Sequence, residues 1–439
     1  MSNTLCSFAF AHTDIEPNGD IKFCCAARPG ANRDPNGNVY NVTTHTLKEA
    51  WNSEILKQTR MEMIQGKHPE VCNYCWQLEN SDNTQGTSIR LQAAETRIPI
   101  SSISDRIEYA RNHNGELKDL AFDFQLSIGN LCNLACKMCS PGFSTQYQKF
   151  FSKFHNTPQE INFVKNQTIR DNTRHFQFSF GTNFDWPVTQ SLAEIFKDHT
   201  ATLKTIFFTG GEPTLIPEVL EFIDYLSINA PRDFVVWPST NCTNINKQML
   251  ESLGQFNEIW LNLSLDGMDD IAYIQRTPSK WENIEKNVDQ LMNWANDQRN
   301  KGKEVAISII STLTSLNFHH ILDFWNYFEH RYRHTGAQYS ISINLVLPKE
   351  ANFGIEIIPK NSINEFKNKC NQLLEKSDGH LNHALRQYLY LLNTVNFADD
   401  SEQIHFCLDQ VQKYHPELDI KKIYSVYYPD QLTTNSIIV

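Results

Sequence analysis

No apolar run in this chain of 439 residues reaches the length that spans a bilayer, so a membrane protein is not expected. The opening Met1-Ser-Asn-Thr-Leu-Cys6 has no basic segment leading into an apolar one, and an export signal is not expected either. Basic blocks are missing as well. Lys and Arg number 39 against 50 Asp and Glu, a formal net charge of −11, which disfavours nucleic acid as the main partner. Short-period repeats and low-complexity tracts are also lacking. What remains is a cytoplasmic globular protein, long and apolar enough for two or three domains.

Eleven cysteines are present, and in a reducing compartment they point to metal ligation rather than disulfides. Three of them, Cys132, Cys136 and Cys139, stand in the run Leu131-Cys-Asn-Leu-Ala-Cys-Lys-Met-Cys-Ser140. Soft thiolates suit iron–sulfur assemblies; four would close a cubane cluster, and three leave one iron open to a small molecule. A zinc knuckle or a set of buried thiols is the alternative for such a run taken alone. A second segment, Lys204-Thr-Ile-Phe-Phe-Thr-Gly-Gly-Glu-Pro213, reads as a buried strand ending in a tight turn. There Gly210 and Gly211 allow close approach of the backbone to a ligand, and Glu212 offers an acceptor for an ammonium group.

From residue 120 onward apolar strands alternate with helical stretches, the mark of a parallel α/β architecture. Strands are expected at Leu120 to Ile128, Lys204 to Thr209, Phe234 to Ser239, Ile259 to Leu265, Val305 to Leu313 and Tyr339 to Val346. Helices are expected at Pro217 to Ile228, Lys247 to Leu253, Trp281 to Trp294 and His319 to Phe328. Six βα-type units fit a partial (β/α)6, TIM-like barrel, whose chemistry sits at the carboxyl ends of the strands. The cysteine run and the Gly-Gly turn both follow strand ends. So do Ser239 and Asn241 after the third strand, and Ser264 and Asp266 after the fourth.

The cysteine spacing, with Gly210-Gly-Glu-Pro213 about one βα unit later, resembles the radical S-adenosylmethionine (radical SAM) superfamily. The resemblance implies a 4Fe–4S cluster on Cys132, Cys136 and Cys139 whose open iron binds SAM. It implies that Gly210, Gly211 and Glu212 receive the methionyl amino group. Ser239, Asn241, Ser264 and Asp266 would contact the SAM carboxylate and ribose, although Asp-Gly and Thr-Asn are also ordinary turn formers. Arg276, in Tyr273-Ile-Gln-Arg-Thr-Pro278, matches an arginine that would pair with the carboxylate, an exposed solvated side chain being the alternative. Met138 departs from the aromatic residue that often precedes the last cysteine, and its thioether is suited to packing beside the adenine.

The first 118 residues carry a separate pattern of Cys6, Gly19, Cys24, Cys72 and Cys75, with Cys25 as an alternative to Cys24. Asn18-Gly19-Asp20, between the apolar runs Phe8 to Ala11 and Ile21 to Phe23, reads as a hairpin turn that brings Cys6 and Cys24 together. Four cysteines suffice for a 4Fe–4S cluster or for a structural zinc. The segment resembles the twitch domain, half of a SPASM domain, with Leu47 to Leu56 as the helix before the C-x2-C pair, and this implies an auxiliary 4Fe–4S cluster. In better-known members that domain follows the barrel; here it precedes it.

The division expected is 1–118 as the auxiliary-cluster domain, 119–347 as the barrel and 348–439 as a mostly helical C-terminal extension. The long insertion 155–198, with Phe176 to Phe180 and Trp186, is expected to pack locally, and Cys242, Cys370 and Cys407 to be structural. The resemblance implies reductive cleavage of SAM to a 5′-deoxyadenosyl radical that takes hydrogen from the substrate, with flavodoxin or ferredoxin as the type of electron donor. Oxidative modification of a peptide or protein is the leading expectation. The same chemistry on a sugar or nucleoside is the second, and an iron–sulfur electron carrier is the alternative of another class.

Overall fold

The computed structural model describes residues 4–28, 30–80, 88–154, 183–336, 338–345, 353–377, 381–398 and 402–427. The ten strands in chain order are β1 (His12–Ile15), β2 (Ile21–Lys22), β3 (Asp123–Ser127), β4 (Ala135–Cys136), β5 (Thr205–Thr209), β6 (Val235–Thr240), β7 (Glu258–Ser264), β8 (Arg276–Thr277), β9 (Glu304–Leu313) and β10 (Tyr339–Leu345). Eight of them form one sheet in the order β10-β9-β7-β6-β5-β3-β1-β2, and β4 and β8 form a separate two-stranded ladder.

The six expected barrel strands are β3, β5, β6, β7, β9 and β10, all parallel and adjacent in chain order. This is the partial (β/α)6 barrel. In β9 the residues Val305, Ile307, Ile309 and Leu313 are buried on one face, and Ala306, Ser308, Ile310 and Thr312 stand more open on the other. The buried face meets helices, and the more open one lines the barrel interior. The connecting helices are Pro217–Asn229, Lys247–Leu253, Trp281–Asn300 and Ile321–Tyr332. Each begins where local chemistry favours it; Asn246, for example, caps the second by accepting from the Met249 amide at 2.8 Å.

The hairpin expected around Asn18-Gly19-Asp20 is present, with Gly19 at φ +87° and β1 and β2 paired antiparallel through Asp14 and Lys22. Its first arm differs from expectation. Phe8–Ala11 forms one helical turn, and the strand is the more polar His12–Ile15. That strand lies parallel to β3, His12 opposite Asp123 and Ile15 opposite Leu126. The N-terminal segment therefore extends the barrel sheet, and this pairing crosses the expected boundary at 118/119. The helix expected at Leu47 to Leu56 is two helices, Leu47–Trp51 and Glu54–Ile64, the first opened by a Thr46–Glu49 capping box.

The C-terminal region is helical as expected, with Ile363–Lys376, Asn382–Thr394, Glu402–Tyr414 and Ile420–Ser425. Within the insertion, 155–182 and with it Phe176 to Phe180 lie outside the described residues. Trp186 is buried and donates to the Pro17 carbonyl at 2.8 Å, fixing the end of the insertion on the hairpin. Among the described residues no helix is long and apolar enough to cross a membrane.

Candidate functional site

Three separate elements hold the loop that carries Cys132, Cys136 and Cys139. Thr145, at the start of the following helix, brackets Cys132, accepting from its amide at 3.3 Å and donating to its carbonyl at 3.0 Å. Cys136 lies in β4 opposite Arg276 of β8, and the Lys137 amide extends the ladder to the Gln275 carbonyl at 2.8 Å. The Gly-Gly turn forms the third contact, where the Glu212 amide donates to the Leu131 carbonyl at 2.8 Å.

That last contact explains the glycines. A Cβ on Gly211 would stand 2.3 Å from the Leu131 carbonyl oxygen, and one on Gly210, at φ +102°, would meet the Ser127 Cα at 2.9 Å. Only glycine lets the turn at the end of β5 lie on the residue before Cys132.

Burial pushes the Cys136 thiol up to about 12 and raises Cys132 and Cys139 as well. The same cause raises Cys242, Cys370 and Cys407, which are also buried. The three loop cysteines differ in acting on one another: Cys132 and Cys136 both hold the Cys139 thiol up, as Cys132 does that of Cys136. Arg276 opposes them, its Nη1 donating to Cys136 Sγ at 3.6 Å. Three mutually interacting thiols beside a largely buried cation, on a loop held by a turn that admits no Cβ, fit a cluster with a vacant coordination position.

Two carboxylates make hydrogen bonds within the protein. Glu212 is buried and accepts from Thr214 Oγ1 at 2.7 Å, Thr240 Oγ1 at 2.8 Å and the amides of Thr214 and Asn241 at 3.3 and 2.7 Å. These four hydrogen bonds tie the turn to the end of β6. Asp266, also buried, accepts from the Thr312 amide at 2.7 Å and from Arg276 Nε at 2.6 Å. Arg276 is thus neither exposed nor uncommitted: it is oriented by Asp266 and directed at the thiol group.

Ser239 and Ser264, at the ends of β6 and β7, are brought together with hydroxyls 3.5 Å apart. Asn241 Nδ2 reaches Asn133 Oδ1 at 3.1 Å and lies 4.0 Å from Cys132 Sγ. Met138 is half-buried within the loop. Lys137 turns away beneath the loop, its ammonium 5.0 Å from the Tyr414 ring, so a C-terminal helix backs the cysteines.

At the N-terminal site Cys6, Cys24, Cys72 and Cys75 line one cavity with Phe8, Phe23, Met63 and Arg90. Cys25 does not line it. Burial raises Cys6 to about 12, and Cys75 acts in the same direction on Cys6, Cys24 and Cys72. Arg90 was not singled out by sequence. It lies 4.5 Å over the Trp76 ring, donates to Glu79 Oε1 at 3.0 Å and lowers the thiols of Cys6 and Cys72. Each cysteine set thus has its own arginine held by a carboxylate, Arg90 by Glu79 and Arg276 by Asp266.

Residues 126–324 match the family model of the radical SAM superfamily, and residues 6–76 match the iron–sulfur cluster-binding domain SPASM. The second match begins at the first cavity cysteine and ends just past the last. No curated protein matches the chain. Among solved structures, native anSMEcpe with bound AdoMet and Cp18Cys peptide is similar at 18% identity and a TM-score of 0.35, over 58% of this chain and 59% of that one. Streptococcus suis SuiB bound to precursor peptide SuiA is similar at 13% identity and a TM-score of 0.32, over 89% of this chain and 74% of that one. The chain thus spans less than two thirds of the length of anSMEcpe. Neither likeness bears on the substrate of this chain.

Proposed function

Because the chain belongs to the radical SAM superfamily and carries an N-terminal iron–sulfur cluster-binding domain of the SPASM type, we propose that it oxidatively modifies a peptide or protein. Its cofactors are SAM and iron–sulfur clusters, and it is a SAM-dependent enzyme. The observation that carries the reading is the loop of Cys132, Cys136 and Cys139 bound to the Gly210–Gly211 turn and faced by Arg276. When bound, the cluster and SAM supply a 5′-deoxyadenosyl radical able to take hydrogen from an unactivated C–H bond.

The residues of the chain bind and orient. The Gly-Gly turn presents its backbone, Glu212 keeps that turn on β6, and Asp266 aims Arg276 at the thiolates. Ser239, Ser264 and Asn241 line the same strand ends. Beneath them the barrel interior carries half-buried Phe207, Trp237 and Trp260 on one side, and Ser308 with Ser340, Oγ to Oγ 3.0 Å, on the other. A wall mixing aromatic and polar groups suits a peptide, which presents both kinds of surface. Four cysteines at the N-terminal site leave no vacant iron in a cubane and favour electron transfer there, with a flavodoxin or ferredoxin as donor to the enzyme.

Incubating the reduced, reconstituted protein with SAM and a panel of peptides tests this reading. A changed peptide mass together with 5′-deoxyadenosine is expected. Formation of 5′-deoxyadenosine with sugars or nucleosides altered and every peptide intact would move the substrate to the small-molecule class.

A further inference from the structure

The strand that the N-terminal segment adds to the barrel brings side chains with it. Asp14 is in register with Gln125, Gln125 with Phe207, and Phe207 with Trp237. Parallel partners share a face of the sheet, so these four form one row inside the barrel. Trp237 continues the row to Trp260, the ring centroids being 5.1 Å apart, and touches Phe207 at 4.7 Å. Gln125, Phe207, Trp237 and Trp260 all keep partial exposure despite facing inward, so the row borders a hollow. Gly210 lies three residues beyond Phe207, in the turn just past the end of β5, roughly 10 Å higher at the rise of a β-strand. The row thus lies on the side of the barrel whose strand end carries the Gly-Gly turn.

Two polar groups at this level are incompletely used. Asp14 is 1% exposed and its Oδ1 has no hydrogen-bond partner. The nearest cation, Lys22 Nζ, is 4.0 Å from Oδ2 and is committed to Glu16 at 2.6 Å. Arg97 lies with its guanidinium carbon 5.0 Å over the Trp237 ring and donates through Nε to Asp123 at 2.8 Å. Its buried Nη2 is likewise without a partner. Asp123 is itself held by His12, one step below Asp14 on β1. A buried acceptor and a buried donor left open beside an aromatic wall are costly to folding unless a ligand completes them.

We propose that Asp14 and Arg97 form a substrate subsite for an amide group. Its N–H donates to Asp14 Oδ1, its carbonyl accepts from Arg97 Nη2, and the adjoining apolar part of the substrate packs on Phe207, Trp237 and Trp260. The inference rests on the peptide reading above and narrows it to the group recognised. It also gives the N-terminal position of the auxiliary domain a purpose, since β1 delivers Asp14 into the barrel while Phe8, four residues before β1, lines the N-terminal cavity.

Calorimetric titration of the anaerobically reconstituted, SAM-loaded protein with benzamide, benzoate and benzylammonium tests the subsite. Benzamide is expected to bind, and benzoate, which lacks the donor, and benzylammonium, which lacks the acceptor, at least about tenfold more weakly. Asp14→Ala is expected to weaken benzamide about tenfold, and Asp14→Asn, which keeps a carbonyl oxygen in place, to stay within about threefold of the unaltered protein. Iron content and melting temperature report whether each variant folds. Where Asp14→Ala loses iron, the Asn variant and the ranking of the three probes decide. No benzamide binding, equal binding of all three probes, tighter benzylammonium, or benzamide binding unchanged in a folded Asp14→Ala variant overturns the subsite. Loss of SAM binding in the unaltered protein would instead overturn the enzymatic reading, a result separate from the probe ranking.

Discussion

Arg276 reaches the sulfur of Cys136 at 3.6 Å through Nη1 while its Nε is held by Asp266 at 2.6 Å. A cation fixed beside the thiolates favours added negative charge, so it would stabilise a reduced cluster over an oxidised one. Replacing it by Met is expected to move the reduction potential of the cluster negative by on the order of 60 mV, equivalent to about 1.4 kcal/mol for one electron. A redox titration followed by electron paramagnetic resonance checks this; an unchanged or more positive potential would remove Arg276 from that role.

The Gly-Gly turn is a steric requirement. Gly211→Ala sets a methyl group against the Leu131 carbonyl, with the nearest approach 2.3 Å before relaxation. A loss of roughly 2–4 kcal/mol in stability is expected, together with weaker SAM binding, because the cysteine loop must move to accommodate it. Urea unfolding paired with SAM titration measures both.

Glu212 offers a way to separate clamping from ligand binding. The Gln variant replaces one acceptor oxygen by a donor facing the hydroxyls of Thr214 and Thr240 or the Asn241 amide. If the carboxylate serves as a clamp, Glu212→Gln lowers stability by about 1–3 kcal/mol even without SAM. Equal stability with SAM affinity alone reduced would show instead that the carboxylate meets the amino group of SAM.

The six barrel strands and the Gly-Gly turn were readable because alternation and glycine punctuation are local signals. The strand β1 was not. His12-Thr-Asp-Ile15 is polar in sequence and resembles a loop, yet it is fully buried, because His12 is paired with Asp123 and Asp123 with Arg97, 85 positions from His12. The apolar Phe8–Ala11 has the composition of a strand and is instead a helical turn beside the N-terminal cavity. Arg90 and Thr145 escaped for a similar reason: a single arginine or threonine carries no spacing, and only the fold brings it to the cysteines.

Acid is expected to loosen the attachment of the C-terminal helices. His320 contacts the Tyr427 hydroxyl at 3.1 Å, and burial lowers its pKa from 6.5 to about 4; His319, its ring 3.8 Å from that of Tyr427, is lowered by the same cause. A depressed histidine stays neutral in the fold while the unfolded chain takes up a proton. Stability is therefore full above about pH 6.5 and is lost as the pH falls towards 4, by roughly 2–3 kcal/mol for His320. Unfolding curves across this window should show the decline, and His320→Gln should flatten it.

The N-terminal cavity separates two adjacent cysteines. Cys24→Ala is expected to reduce the iron content of the reconstituted protein from about eight to about four per chain, and Cys25→Ala to leave it near eight. One zinc and about four irons in the unaltered protein would assign the cavity a structural ion.

The claim on which the rest depends is that Cys132, Cys136 and Cys139 support cleavage of SAM. Its most direct test is the yield of 5′-deoxyadenosine from reduced, reconstituted protein, with and without replacement of these three cysteines by Ala. 5′-Deoxyadenosine is expected from the unaltered protein and none from the triple variant. Intact SAM after incubation with an unaltered protein carrying about eight irons, or equal yields from both proteins, would contradict it.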